Sequence, residues 1–342
     1  MKIAIYGAYG YQGRLVLAEL ARLRADLILV GRNADRLTNA ATGLSGAETR
    51  VANLADHDGL VAAFRGADAV INCAGPFTPQ GNAVARAAIA AGCNYTDTSG
   101  EQLHVKHIYD TCAAEAERAG VTVTPAMTDS GVPGDFLAHV LADHLGAGPL
   151  AEVLAGHRIT GSPAMSRGSM RSLFGTFDVL KSGGLAYQNG EWRDDVVPRA
   201  TSMMFLGDVP SPVTRFAVSE PISVPRHLQV DYVQGFAETA LAEQFSGTIP
   251  GEVIDDMPEG PSDNDRRDQR WTIVVEASTP DGRRVRASAE GPDTYGTTAV
   301  IAAEGTLRMA GPSGARTPAE VLPPAGFLDA LAPYGVTWRI HD

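Results

Sequence analysis

Short blocks of apolar residues alternate with amphipathic stretches through the first 145 residues. Residues 2–6 (KIAIY) and 26–30 (DLILV) are apolar runs of strand length, and 14–23 between them reads as a helix. Residues 49–52 predict a third strand, and 56–65 a helix with Leu60, Val61 and Phe64 on its inner face. The run 68–75 (DAVINCAG) is apolar enough for a strand buried on both faces, and Pro76 with Phe77 ends it abruptly. A helix over 82–91, a strand over 94–98, a helix over 104–119, a strand over 121–125 and a helix over 134–145 continue the alternation. Strands joined by helices of this length predict a doubly wound parallel sheet, an α/β Rossmann domain over 1–148.

The pattern changes after Gly146-Ala147-Gly148-Pro149, where strand candidates and glycine turns replace the regular alternation, and 149–292 is predicted to be a second α/β domain with a mixed sheet. Residues 271–278 and 283–290 predict a hairpin around Pro280-Asp281-Gly282. Within the polar stretch 249–269, the charged part from 254 onwards reads as an exposed loop without chemistry. Asp293 is placed to cap a helix over 294–309, and a helix over 324–332 precedes a short strand over 336–340.

The first strand runs directly into Gly7, Gly10 and Gly13, with no leader expected ahead of it. A strand, closely spaced glycines and a helix point backbone N–H groups and a helix N-terminus at one spot, which suits a pyrophosphate. Gly7 allows the tight turn, Gly10 lets the diphosphate approach, and Gly13 lets the helix lie close on the strand. Tyr9, Tyr11 and Gln12 share the turn and are further cofactor candidates. The second strand ends in Gly31, Arg32 and Asn33, without the carboxylate that would hold a free ribose 2′-hydroxyl. Arg32, with its planar fork of donors, points instead to a 2′-phosphate and therefore to NADP.

A length of 342 residues with 44% hydrophobic content allows two domains with their own cores, and no apolar run is long enough to cross a bilayer. The net charge of −12, with no basic cluster interleaved with aromatics, argues against nucleic acid and anionic membrane as partners. Cys73, Cys93 and Cys112 form no CxxC pair and are expected as reduced packing residues of a cytoplasmic protein. His104 and His107, at helical spacing without a third ligand, are expected on a solvated face, and no metal site is expected. No GxSxG, HExxH or Walker lysine is present, so hydrolase and phosphoryl-transfer chemistry have no support.

Several separated motifs, IYGAYGYQG with VGRNADRL, the stretch 72–101 (NCAGPFTPQGNAVARAAIAAGCNYTDTSGE) and 124–136 (TPAMTDSGVPGDF), resemble those of the saccharopine dehydrogenase-like oxidoreductases. That family includes saccharopine reductase and the trans-acting enoyl reductases. GSPAMSRGSMRS around Ser166, the Gly207-Asp208 pair and DTYGTTAVIAAEGTLRM are similar to further landmarks, although Arg167-Gly168-Ser169 stands where many relatives carry Gly-Gly-Thr. The resemblance implies a Rossmann domain for a nicotinamide cofactor and a second domain that brings substrate over the nicotinamide and forms a homodimer. It also implies that residues 293–342 return to complete the first domain.

Candidate chemistry clusters on the loops after the strands. Asn72, Ala74, Gly75, Pro76 and Phe77 follow the fourth strand and are candidates for the nicotinamide ribose and ring. Asp97 with Ser99, and Asp129 with Ser130, follow the next two strands. Either aspartate becomes a proton donor if burial raises its pKa. Ser166, Arg167, Ser169 and Arg171 are candidates to hold an acidic substrate, and His157 or Tyr187 would follow as donors. The reading is an NADP(H)-dependent oxidoreductase acting on a C=N, C=O or C=C bond of a small molecule. The alternatives are a trans-acting enoyl reductase on a carrier-bound thioester and a non-catalytic NADP(H)-binding regulator.

Overall fold

Strand β1 (Lys2–Tyr6) sits in the middle of a seven-stranded, all-parallel sheet. It is flanked on one side by β2 (Asp26–Gly31) and β3 (Glu48–Val51), and on the other by β4 (Ala69–Asn72), β5 (Asn94–Asp97), β6 (Thr122–Thr124) and a short edge strand Gly314–Ala315. The crossovers are α1 (Tyr11–Arg22), α2 (Ala34–Ala40), α3 (His57–Phe64), α4 (Phe77–Ala90) and α5 (Gln102–Ala119), and α6 (Val132–His144) follows β6. The central strands β1, β2 and β4 are buried on both faces beyond their first residues, which is why they read as continuous apolar runs, whereas the edge strand β3 is half exposed. The order of strands reverses between β1 and β4, and the loops 7–10 and 73–76 open into the crevice there.

This is a computed structural model that describes residues 1–205, 207, 209–245 and 251–341; Asp208 of the Gly207-Asp208 landmark, Ile249 and Pro250 of the polar stretch, and Asp342 lie outside the described residues. From β7 (Glu152–Thr160) onward the chain builds a second, mixed sheet. Strand Tyr232–Glu238 runs parallel to β7, and the hairpin Arg270–Ser278 with Arg284–Pro292 joins its other edge antiparallel. Helices α7 (Arg167–Gly175) and α8 (Phe177–Ser182) follow β7 and bury none of their own residues fully. One apolar core serves both sheets: Ile3, Ile5 and Leu29 of the first share it with Val153, Ile273 and Val275 of the second, through Phe136 and Leu141 of α6. Among the described residues no helix is long and apolar enough to cross a membrane.

The C-terminal stretch does not return wholly to the first sheet. Helix Thr294–Arg308 packs on α1 and Gly314–Ala315 extends the first sheet, but Thr337–His341 pairs with Arg284–Pro292 in the second. Helix α4 begins at Phe77 rather than near residue 82, because the Glu101 carboxylate accepts the N–H groups of Phe77 and Thr78, both at 2.7 Å. The charged stretch read as a bare loop contains helices Gly251–Asp256 and Asp263–Asp268, the second opened by a capping box between Ser262 and Asp265. His104 is buried rather than solvated, with its ring against Phe77; only His107 is exposed.

Candidate functional site

A cavity of about 670 Å³ opens at the carboxyl ends of β1, β2, β4, β5 and β6 and reaches across to α7 and α8. Gly7, Gly10, Tyr11 and Gln12 line it from the first turn. Gly7 has φ +81°, a backbone conformation that favours glycine. A Cβ on Gly13 would stand 2.1 Å from the Gly7 carbonyl oxygen, so Gly13 is a packing residue under the helix and does not line the cavity. No side chain caps α1, which leaves its N-terminal N–H groups for a ligand at the Gly10 edge.

At the end of β2, Arg32 is exposed on the cavity wall and has no hydrogen bond or ion pair among the described residues. Asn33 caps α2 by accepting the Arg36 N–H at 2.9 Å and does not reach the cavity. The Arg36 guanidinium stacks over the Tyr9 ring, 4.5 Å from its centroid. A glycine turn under an uncapped helix and an unpartnered arginine at the second strand fit a dinucleotide with a 2′-phosphate.

Ala74, Gly75, Pro76 and Phe77 line the cavity after β4. Asn72 lies beneath them, fully buried: its amide donates to Tyr95 Oη at 3.2 Å, and its carbonyl oxygen accepts the Ala74 N–H at 3.0 Å. A Cβ on Gly75 would stand 2.9 Å from Ser172 Oγ, so α7 approaches the loop after β4 here.

The two aspartates expected as proton donors differ. Asp97 is fully buried and does not line the cavity. One of its oxygens accepts the N–H groups of Ser99 and Ala126, and the other bonds His104 Nε2 at 2.8 Å and Tyr95 Oη at 3.0 Å. With both oxygens tied to protein groups, Asp97 joins the loops after β5 and β6 and makes no direct contact with the cavity. Ser99, also fully buried, accepts the Glu101 N–H and stays out of the cavity. Asp129 lines the cavity with Ser130. Burial pushes its carboxyl up to about 6, against a 2.8 Å hydrogen bond from Thr298 that favours the charged form.

Ser166, Arg167, Ser169 and Arg171 all line the other side. Ser166 Oγ caps α7 at the Ser169 N–H, 3.0 Å away. Both arginines are engaged: Arg167 Nε donates to Met257 O at 3.0 Å, and Arg171 pairs with Asp255 at 2.5 Å. Ile159, Met165, Leu173, Val179, Leu180 and Phe216 add an apolar stretch to the wall at this end, interrupted by Gln102, Ser172 and Thr176. His157 and Tyr187 do not line the cavity; His157 bonds Glu220 at 2.8 Å in the interior.

Three cavity residues escape a reading of the sequence. Tyr295 Oη accepts the Ser166 N–H at 2.8 Å and lies 3.0 Å from Ser169 Oγ, and its ring packs edge-on against Tyr11. Thr298 holds Asp129, and Glu259 reaches the edge of the β2 loop. The first two carry a signal in their place within DTYGTTAVIAAEGTLRM, at the start of the helix that Asp293 caps, but nothing there assigned them to the cavity; Glu259 carries none.

The fold and the cavity define a Rossmann-type dinucleotide-binding protein with a mixed sheet set against its open edge. Residues 3–124 match the model of the saccharopine dehydrogenase NADP binding domain family, and the cofactor is NADP. The trans-acting enoyl reductase of Mycobacterium tuberculosis is 25% identical over 377 residues, covering 90% of this chain and 88% of that protein. A second M. tuberculosis protein, provisionally named a trans-acting enoyl reductase, is 31% identical over 159 residues, 44% of this chain; the match spans only 38% of that relative's length. The saccharopine dehydrogenase (L-Glu forming) of Saccharomyces cerevisiae superposes over 100% of both chains with a TM-score of 0.62 and 14% identity, a likeness of fold.

Proposed function

We propose that this chain is an NADP(H)-dependent oxidoreductase that transfers a hydride between the nicotinamide and a C=C, C=O or C=N bond of a mainly apolar substrate, with Asp129 as proton donor. The observation that carries this reading is the continuity of one cavity, from the open glycine turn and Arg32 at one end to Asp129 and the apolar side chains of Ile159, Met165, Leu173, Val179, Leu180 and Phe216 at the other. The bound nicotinamide supplies the hydride. Gly75, Pro76 and Phe77 orient its ring, the apolar wall excludes water, and Asp129 holds a proton that its burial keeps available near neutrality. A dicarboxylic amino-acid adduct is a poor fit, because Arg167 and Arg171 are already engaged by Met257 and Asp255. Reduction of an enoyl thioester is the second reading, supported by the same apolar wall and by the relative of that name.

The test is single-turnover oxidation of NADPH deuterated at C4, with α,β-unsaturated thioesters, aldehydes and imines of increasing apolar chain length. Deuterium is expected on the product carbon, with turnover improving as the chain lengthens. Asp129→Asn is expected to slow transfer by about 10²-fold, and the parental rate should fall as pH rises through about 6, because only the protonated carboxyl donates. No deuterium transfer to any of these acceptors, or preferred turnover of a dicarboxylate imine, would overturn the proposal.

A further inference from the structure

The strongest unexplained contact near the cavity is made by a residue far away in sequence. Glu259 Oε1 lies 2.8 Å from Arg36 Nη2, and Glu259 Oε2 lies 2.7 Å from Arg14 Nη1. Two oxygens on two guanidinium groups, one of them stacked on Tyr9, is the arrangement a phosphate adopts between arginines. We propose that Glu259 is a tethered occupant of the 2′-phosphate site, and that its displacement sets how strongly the protein distinguishes NADPH from NADH. This rests on the 2′-phosphate binding at Arg32 and Arg36.

The chemistry favours exchange. Both side chains of the Arg36–Glu259 pair are nearly half exposed, at 48% and 44%, so water and salt compete with the contact. A 2′-phosphate carries more charge and more acceptor oxygens than a carboxylate and replaces it on the arginines. NADH brings only a hydroxyl there, which leaves Glu259 in place.

The segment that carries Glu259 is tied to the rest of the cavity. Tyr11 Oη donates to Pro261 O at 2.7 Å, the Arg167 N–H to Glu259 O at 3.2 Å, and Arg167 Nε to Met257 O at 3.0 Å. Asp255 of the same segment holds Arg171. Residues 255–261 therefore connect the β2 loop to the start of α7, whose Leu173 borders the apolar end. When the 2′-phosphate displaces Glu259, this segment loses one of its anchors, while Arg167 stays on Met257 and Arg171 on Asp255.

Two probes separate the phosphate from the rest of the cofactor: adenosine 2′,5′-bisphosphate, and 5′-AMP, which lacks the 2′-phosphate. By calorimetry, Glu259→Gln is expected to bind the bisphosphate about three- to tenfold more tightly than the parent, as removal of a competing state allows, and AMP within about twofold of the parent. In the parent, amide hydrogen exchange over 257–262 is expected to rise with the bisphosphate and not with AMP. In the variant it should be high from the outset and insensitive to either. Unchanged or weaker bisphosphate affinity in Glu259→Gln, or protection of 257–262 by the bisphosphate in the parent, would overturn the proposal. Arg36→Ala separates the two layers: if the preference for the bisphosphate over AMP is undiminished, the phosphate does not bind at Arg36. If the preference is lost while Glu259→Gln changes nothing, the phosphate site stands and the competition fails.

Discussion

Two glycines three positions apart are expected to fail in different ways. Gly10 has φ −71°, and a Cβ there would meet only the Gly7 oxygen at 3.2 Å, so a side chain is tolerated by the fold but fills the space of a pyrophosphate. Gly10→Val should lower NADPH affinity by more than about tenfold with little change in melting temperature. Gly13→Ala places a methyl 2.1 Å from the Gly7 oxygen and should destabilise the protein by about 1–3 kcal/mol while loosening the cofactor turn. Calorimetric titration and thermal melts of both variants check the contrast. Asp129 gives a second handle. Burial raises its native pKa from 3.8 to about 6, so the folded state holds the proton more tightly than the unfolded one, and this group's effect on stability worsens as pH rises between those values. Asp129→Asn should therefore gain more in melting temperature, relative to the parent, at pH 7.5 than at pH 4. The glycines were legible because their spacing is local. Tyr295 and Glu259 were not, because folding brings them to the turn from more than two hundred residues away.

At the scale of elements, the strands and most helices of the first 145 residues and those after 270 were legible from apolar blocks and their spacing, mostly within one to three residues at their ends, whereas between 149 and 270 no strand or helix could be given bounds. The start of α4 was not, because its first N–H groups are satisfied by Glu101, 24 residues further along the chain from Phe77. That capping carboxylate holds Phe77 and Thr78 where the loop after β4 meets the cavity. Glu101→Ala should cost about 0.5–2 kcal/mol of stability, the range for a lost helix cap, and weaken NADPH binding through the displaced loop; Glu101→Gln, which keeps one acceptor oxygen, should lose less of both. Denaturant melts and cofactor titrations of the two variants measure this. The helices at 251–256 and 263–268 were hidden by polar composition, although Ser262 and Asp265 carry the spacing of a capping box.

Across the whole molecule, one core binds the two sheets together, and the β2 loop, the glycine turn and α7 line a single cavity. The doubly wound sheet followed from the sequence because its strands are apolar on both faces. The destination of the last strand did not, because Thr337–His341 alternates between partly buried and exposed residues in a way that either sheet's edge would accept. In a protein with a net charge of −12, a polyanionic cofactor needs a local concentration of positive charge, and Arg32 and Arg36 line the cavity beside the turn. The most direct measurement is calorimetric titration of NADPH and NADH into the parent protein and into Arg32→Asp. The parent should bind NADPH about tenfold or more tightly than NADH, and the variant should narrow or reverse that gap, since a carboxylate repels the 2′-phosphate and accepts a bond from a free hydroxyl. Equal affinities in the parent, or a preference for NADPH that survives Arg32→Asp intact, would contradict the cofactor site described.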